Sequence, residues 1–175
     1  MSGPSRELIY ALGANLGDPS QALGSAARHL AAVLERPRAS AVYRTPLEGG
    51  GDQPEYLNAV VVGTSPMSAR EGLALARELE ARAGRERPYP GAPRTLDVDL
   101  LFAGDDMIDE ADLVVPHPRW ATRSFVVVPL LDVAPDVIDP RTGLTPASVS
   151  RRHGWTPALF PMVLEQGALI PTEAA

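Results

Sequence analysis

The sequence predicts an α+β fold in which an antiparallel sheet carries helices packed on one face. Three observations favour this class. Strand-like and helix-like stretches alternate in the order β-α-β-β-α-β. Both helical stretches begin at capping signals, Asp18 followed by Pro19, and Ser68 followed by Glu71. The length of 175 residues, with 45% apolar and 22% charged residues, is ordinary for a single globular domain.

The first half of the chain predicts three strands and one helix. Leu23, Ala26, Ala27 and Leu30 recur at helical spacing and give the helix an apolar face. The loop after the second strand is rich in Gly and Pro and has no apolar period. The predicted spans are a strand over 7–12, a turn over 13–18, a helix from Asp18 to about Leu34, a strand over 39–44, a loop over 45–54 and a strand over 56–64.

The second half completes the predicted order and adds C-terminal elements. The predicted spans are a helix from Ser68 to near Gly84, a loop over 85–93, a strand over 96–102, a further short strand over 112–115, a short buried helix or apolar run over 123–131 and a helix over 146–153. The order βαββαβ is that of the ferredoxin-like sandwich. We therefore predict one domain over 1–175, with a core over about 7–137 and an extension over 138–175.

Composition excludes several kinds of chemistry. The chain has no cysteine, so cysteine nucleophiles and zinc–thiolate sites are excluded. All 16 basic residues are arginine, which excludes a Walker A lysine and lysine Schiff bases. A net charge of −6 argues against a broad nucleic-acid surface. No apolar run approaches the ~20 residues of a membrane span, and no secretory signal is evident, so a cytoplasmic protein is expected.

The predicted strand over 96–102 carries the strongest chemical signal. Side chains two apart on a strand share a face, so Asp97 and Asp99 project side by side. Paired carboxylates repel each other, and a divalent cation such as Mg²⁺ would remove that repulsion. Arg94 lies just before them, and an arginine beside a two-carboxylate metal site suits a polyphosphate. The alternative is two exposed aspartates on an edge strand.

Four separated stretches resemble the 6-hydroxymethyl-7,8-dihydropterin pyrophosphokinase family of folate biosynthesis. They are Leu12-Gly13-Ala14-Asn15-Leu16-Gly17, residues 43–46 with 52–58, Pro93-Arg94-Thr95-Leu96-Asp97-Val98-Asp99, and Val115-Pro116-His117-Pro118-Arg119 leading to 123–126. The resemblance covers about residues 7–137 and implies a ferredoxin-like fold. It also implies that the hydroxymethyl oxygen of the pterin attacks the β-phosphorus of ATP, that AMP leaves, and that two Mg²⁺ ions take part.

The resemblance implies roles for the acidic pair and the loop arginines. Asp97 and Asp99 match the metal-binding aspartates, and one carboxylate could also accept the hydroxyl proton. Arg85 and Arg94 match arginines that engage the triphosphate, and Arg85 could move with its loop to stabilise charge during transfer. Arg87 is a weaker candidate for the same contact, since a basic loop after a helix is ordinarily solvated.

The resemblance also implies the residues that contact nucleotide and pterin. An amide offers a donor and an acceptor, which suits the mixed edge of a pterin. The ring of Phe125 would stack on the pterin, although a lone Phe in an apolar run is ordinarily core. The implied ATP contacts are Glu80, Arg87, Leu100, Leu113, His117 and Arg123, and the implied pterin contacts are Thr45, Pro46, Tyr56, Asn58 and Phe125.

The chain departs from the family pattern in two loops. The family often has Trp-Gly-Pro-Arg before the aspartates, whereas this chain has Tyr89 in a stretch one residue shorter. The first loop contains Leu47-Glu48-Gly49-Gly50-Gly51, and three glycines favour mobility. We expect the loops over 45–54 and 84–93 to act as lids that order when the substrates bind.

Two other functions remain open from the sequence. One is a non-catalytic ferredoxin-like binding module, either an RNA-binding domain or a regulatory small-molecule domain. An RNA-binding domain would need exposed aromatics and a basic face, whereas the chain has 5% aromatics and a negative charge. A metal-dependent phosphohydrolase using Asp97 and Asp99 would need a water-activating base, and none is evident beside the pair. We expect a monomer that takes small-molecule substrates, with no nucleic acid or membrane partner.

Overall fold

A computed structural model describes residues 3–84, 90 and 95–170 of the chain. Eight strands and four α-helices are present in these ranges. In chain order they are β1 (Arg6–Ala14), α1 (Pro19–Val33), β2 (Glu35–Ala39), β3 (Val42–Thr45), β4 (Tyr56–Ser65), α2 (Ala69–Arg82), β5 (Asp97–Ala103), β6 (Ile108–Glu110), β7 (Leu113–Val115), α3 (Ser124–Val133), α4 (Pro146–His153) and β8 (Met162–Leu164).

The strands form one main antiparallel sheet and a separate hairpin. The main sheet has the order β5-β1-β4-β3-β8, and β2 pairs with the remaining length of β4. Every pair in it is antiparallel, and β6 pairs with β7 in the hairpin. The predicted antiparallel sheet and mixed helix–strand fold are therefore confirmed.

Helices cover both faces of the sheet. Apolar residues alternate along β1, with Leu8, Tyr10 and Leu12 in the core beneath α1 and α2, and Ile9 in the core beneath α3. The prediction of helices on one face holds for α1 and α2 only. The helix α3 lies on the other face because five of its first seven residues, Val126 to Leu130, are buried apolar positions. That second layer encloses the candidate site.

The predicted single strand over 39–44 is wrong, because the chain forms β2 and β3 with a break at Ser40 and Ala41. The Ser40 hydroxyl accepts from the backbone N–H of Val60 and donates to the carbonyl of Ala41. The N–H of Ala41 donates to the Asp132 carboxylate instead of to a neighbouring strand. These side-chain bonds replace the ladder bonds of a continuous strand.

Several local predictions are confirmed. The Asp18 carboxylate caps α1, and Ser68 and Glu71 form a capping box on α2. Gly84 follows the C-cap of α2 with φ +71°, a left-handed conformation that favours glycine. The helix over 146–153 is present, whereas the first strand is longer than predicted, at Arg6–Ala14.

The C-terminal extension packs against the core through buried polar contacts. The Trp120 indole N–H donates to the buried Asp139 carboxylate at 2.8 Å, and β8 extends the sheet beside β3. In the described residues, no helix combines the length and apolar character needed to span a membrane.

Candidate active site

A cavity of about 430 Å³ opens where β1 ends and where β4 and β5 begin, on the face of the sheet that α3 covers. This size is typical of small-molecule sites. Its floor comes from three adjacent strands, in which Gly13 pairs with Asn58 on one side and with Asp97 on the other. The lining residues are Ala11, Leu12, Gly13, Thr45, Pro46, Leu47, Glu48, Tyr56, Asn58, Pro90, Asp97, Asp99, Arg119, Arg123, Phe125 and Val126.

One end of the cavity is charged. Asp97 and Asp99 alternate with buried residues along β5, so both carboxylates lie on the cavity face as the strand period predicts. The Nη1 atom of Arg123 and the Nε2 atom of His117 each lie 3.9 Å from Asp99 Oδ2. The N–H of His117 donates to the carbonyl of Leu101 and holds this segment against β5. A cation and an imidazole therefore adjoin the acidic pair.

The Arg123 guanidinium lies largely inside the protein. Its side chain is 13% exposed, its Cζ atom is 5.6 Å from the centroid of the Phe125 ring, and its Nε atom is 4.0 Å from a Glu48 carboxylate oxygen. Burial, followed by the charge of Arg119, lowers the pKa of the guanidinium from its ordinary value, although an arginine stays charged. Within the described residues, its buried Nε–H makes no hydrogen bond. Such a donor favours an anionic ligand.

His117 has a defined tautomer and a lowered pKa. The backbone N–H of Arg119 donates to Nδ1 at 3.1 Å, so the neutral ring carries its proton on Nε2, the atom that faces Asp99. Burial, followed by the charges of Arg123 and Arg119, lowers the pKa of His117 to about 4, and Asp97 partly opposes the shift. The imidazole is thus a neutral hydrogen-bond donor near pH 7.

This lowered pKa predicts a pH-dependent stability of the metal-free protein. Between about pH 6.5 and pH 4 the unfolded chain binds a proton at His117 that the folded chain does not, so the stability falls as the pH falls through this window. Between pH 7 and pH 5, we expect the free energy of unfolding to fall by about 1–2 kcal/mol more in the wild type than in His117→Gln. Urea unfolding with EDTA at both pH values measures the difference, and equal losses in the two proteins would refute the assignment.

The other end of the cavity is formed by buried polar side chains of β3 and β4. Asn58 Nδ2 donates to Thr45 Oγ1 at 2.6 Å, and both residues are buried. Tyr56 pairs with Thr45 across β3 and β4, and Phe125 lines the same cavity from the first turn of α3. All five predicted pterin contacts, Thr45, Pro46, Tyr56, Asn58 and Phe125, line this one cavity.

The predicted nucleotide contacts separate into three groups. Arg123 lines the cavity, and His117 lies beside it. Leu100 and Leu113 are 5% exposed in the core beneath α1 and α2. The carboxylate of Glu80 accepts from the backbone N–H of Val98 at 2.9 Å and so joins α2 to β5. The roles of Glu80, Leu100 and Leu113 toward ATP stay predictions, and Arg85, Arg87, Tyr89 and Arg94 lie outside the described residues.

The cavity also includes residues to which the sequence alone assigned no role, among them Gly13, Glu48 and Arg119. Arg119 was detectable because it ends the Pro-His-Pro-Arg stretch, two residues beyond His117. Gly13 was detectable in the same way, because it lies in the stretch Leu12-Gly13-Ala14-Asn15-Leu16-Gly17, whereas Glu48 lies in a loop that departs from the family pattern. The place of Gly13 between Asn58 and Asp97 depends on strand register.

The acidic pair fits a hard divalent cation only if the substrate supplies further ligands. Among residues 3–84, 90 and 95–170 there is no cluster of three or more side chains of the His, Cys, Asp or Glu type that could hold a metal. Mg²⁺ is ordinarily bound by one or two carboxylates together with water and phosphate oxygens. Asp97 and Asp99, facing the same cavity, match that donor set.

One cavity of this mixed α/β domain combines two carboxylates, a buried arginine, a buried amide and an aromatic ring. This combination is typical of enzymes that act on small phosphorylated molecules. The sequence model of the 7,8-dihydro-6-hydroxymethylpterin-pyrophosphokinase (HPPK) family matches residues 9–135. The chain belongs to this family.

Curated relatives agree with the family match. The chain is 40% identical over 139 residues to 2-amino-4-hydroxy-6-hydroxymethyldihydropteridine pyrophosphokinase of Synechocystis sp., covering 78% of this chain and 71% of the relative. It is 35% identical to the Bacillus subtilis protein of the same name, over 73% of this chain and 77% of the relative. It is 34% identical to the mitochondrial folate synthesis bifunctional protein of Arabidopsis thaliana, over 76% of this chain and 24% of that protein.

Solved structures support the same fold. The crystal structure of wild-type Plasmodium falciparum HPPK-DHPS matches with a TM-score of 0.66 at 13% sequence identity. The match covers 86% of this chain and 45% of that chain, so this chain spans less than half of it. At this identity the likeness concerns the fold alone.

Proposed function

We propose that this chain transfers diphosphate from ATP to the hydroxymethyl group of 6-hydroxymethyl-7,8-dihydropterin in folate biosynthesis, giving AMP and the pterin diphosphate. The observation that carries the proposal is the layout of one cavity, in which the hydrogen-bonded Asn58–Thr45 pair lies on one side of Gly13 and Asp97 and Asp99 lie on the other, with Phe125 also in the lining. A heterocycle held at the Asn58 end directs a substituent toward the charged end. Membership of the HPPK family supports the same reaction.

The Asn58 end of the cavity orients the pterin. The Asn58 amide is fixed by its bond to Thr45, so its remaining donor and acceptor groups have set directions. An aromatic ring such as Phe125 suits the flat face of a pterin. Holding the hydroxymethyl oxygen near the phosphate converts a bimolecular reaction into an effectively intramolecular one.

The charged end supplies electrostatic stabilisation. As the hydroxymethyl oxygen bonds to the β-phosphorus, the bond to the bridging oxygen of the α-phosphate breaks and AMP leaves with the electron pair. Arg123 and Arg119 bring permanent positive charge to the cavity, and the Nε2–H of His117 is a neutral donor beside it. Donors and charges that are already in place need no reorganisation as charge moves to the leaving group. One of the two carboxylates, Asp97 or Asp99, is the proposed acceptor of the single hydroxyl proton.

We further propose that Asp97 and Asp99 hold two Mg²⁺ ions with ATP. Bound Mg²⁺ would offset the charge of the phosphate oxygens and acidify the attacking hydroxyl group. The strand order β5-β1-β4, with α1 and α2 on one face, supports the ferredoxin-like assignment. The monomeric state and cytoplasmic location stay predictions from the sequence.

A product assay tests the proposed function. Protein, MgCl₂, ATP and 6-hydroxymethyl-7,8-dihydropterin are mixed, and the nucleotides are separated by chromatography. We expect AMP and pterin diphosphate in equal amounts, and neither without the pterin. ADP or free phosphate as the main product would instead support a monophosphate kinase or a phosphohydrolase. The absence of turnover would support a binding module.

A further inference from the structure

Gly13 occupies the centre of the cavity floor. It is the penultimate residue of β1, and it pairs with Asn58 on β4 and with Asp97 on β5. It therefore lies between the amide end and the acidic end of the cavity. No role for it follows from the reaction proposed above.

The backbone conformation at this position does not require glycine. The φ angle of Gly13 is not positive, so an L-amino acid could adopt the same strand conformation. Glycine inside a strand lowers its stability, and it often marks a place where another group approaches the backbone closely. Glycine is therefore required at this position for the space that it leaves above the strand, and not for its backbone conformation.

The approaching group is the side chain of Asn58. A Cβ atom added at Gly13 would lie 2.8 Å from Asn58 Oδ1 and 3.8 Å from its Cγ, and the next nearest atom is the Leu57 carbonyl oxygen at 3.9 Å. The 2.8 Å distance is too short for a carbon–oxygen contact, so the amide would have to move. It cannot move freely, because Asn58 is buried and its Nδ2 donates to Thr45 Oγ1 at 2.6 Å.

We propose that Gly13 is a positioning residue that sets pterin affinity by leaving room for the Asn58 amide, an inference that rests on the proposed function. Without a side chain at residue 13, Oδ1 lies over β1 while Nδ2 stays bonded to Thr45. The amide then presents a fixed donor and acceptor to the mixed edge of the pterin. A methyl group at residue 13 turns the amide away and disrupts that pairing, while Arg123 and His117 keep their positions.

The test measures equilibrium binding of two ligands separately. For Gly13→Ala we expect the Kd of 6-hydroxymethyl-7,8-dihydropterin, measured with α,β-methylene-ATP and Mg²⁺ present, to rise about tenfold or more. The Kd of α,β-methylene-ATP alone should change by less than about twofold, a split that a general loss of structure would not produce. Gly24→Ala is the matched control, since its Cβ would meet only the end of the Arg28 side chain, 3.2 Å away on α1.

A double-mutant cycle tests the route through Asn58. In an Asn58→Ala background, Gly13→Ala should cause little further loss of pterin affinity, because the nearest remaining atom is the Leu57 oxygen at 3.9 Å. Thr45→Val is a second variant, which removes the hydroxyl group that accepts the hydrogen bond from Asn58 and leaves Gly13 unchanged. It should also weaken pterin binding and spare the ATP analogue. Thermal unfolding shows that each variant is folded.

Three results would overturn the inference while the wild type binds pterin and forms AMP. The first is an unchanged pterin affinity in Gly13→Ala. The second is an equal loss for both ligands, and the third is the same further loss in the Asn58→Ala background. A wild type that neither binds pterin nor forms AMP would instead refute the proposed function, and the inference with it.

Discussion

Replacing either Asp97 or Asp99 with alanine or asparagine is expected to reduce diphosphate transfer by about 10³-fold or more, the equivalent of about 4 kcal/mol of transition-state stabilisation. Both carboxylates face the cavity from β5, and the described residues offer no cluster of three side chains to take over metal binding. Removing one leaves too few protein ligands beside the phosphates. Single-turnover kinetics across a range of Mg²⁺ concentrations measure the loss.

The same variants should fold normally, because removing one of two neighbouring negative charges relieves repulsion and leaves the apolar side of β5 intact. Asp105→Asn is the matched control, since Asp105 is an exposed carboxylate just beyond the same strand. We expect it to keep wild-type turnover. Near-normal transfer by Asp97→Asn or Asp99→Asn at millimolar Mg²⁺ would show that the acidic pair does not hold the metal.

Arg123→Ala is expected to raise the Kd of an ATP analogue by about 10²-fold, since a hydrogen bond to a charged group contributes about 1.5–3 kcal/mol. Its largely buried guanidinium lies between Asp99 and the ring of Phe125. Arg123→Lys should recover only part of the affinity, because an ammonium group cannot reproduce the planar fork. Isothermal titration with α,β-methylene-ATP and Mg²⁺ gives both values.

An NMR titration of the His117 imidazole adds a readout that is independent of substrate. The Arg123 charge contributes to the lowered pKa of His117, after burial, so the pKa should rise in Arg123→Ala. Arg151→Ala, which removes an exposed arginine from α4, should change neither nucleotide affinity nor this pKa. Unaltered nucleotide binding by Arg123→Ala would contradict its role as a phosphate anchor.

Local patterns in the sequence were enough to predict the acidic strand and the helix starts. The period of two along residues 97–101 sets which side chains share a face, and capping at Asp18 and Ser68 depends on residues three positions away. These features need no distant partner, which is why the sequence alone could predict them.

The features that were missed depend on contacts between distant parts of the chain. The break between β2 and β3 needs Asp132, which is 91 residues beyond Ala41 in the sequence. The second helical layer over the sheet comes from α3, which also lines the cavity through Phe125 and Val126. The close approach of Gly13 to Asn58 follows from the register of β1 on β4, which no local pattern specifies.

The central claim is that one cavity holds the pterin at the Asn58 end and the triphosphate at the Asp97 end. A crystal structure with 6-hydroxymethyl-7,8-dihydropterin, α,β-methylene-ATP and Mg²⁺ tests it most directly, because the methylene group blocks cleavage of the bond that breaks. We expect the pterin between Asn58 and Phe125, with its hydroxymethyl oxygen directed at the β-phosphorus, and Mg²⁺ between the phosphates and both aspartates. Pterin bound elsewhere, or phosphates remote from Asp97 and Asp99, would contradict the account.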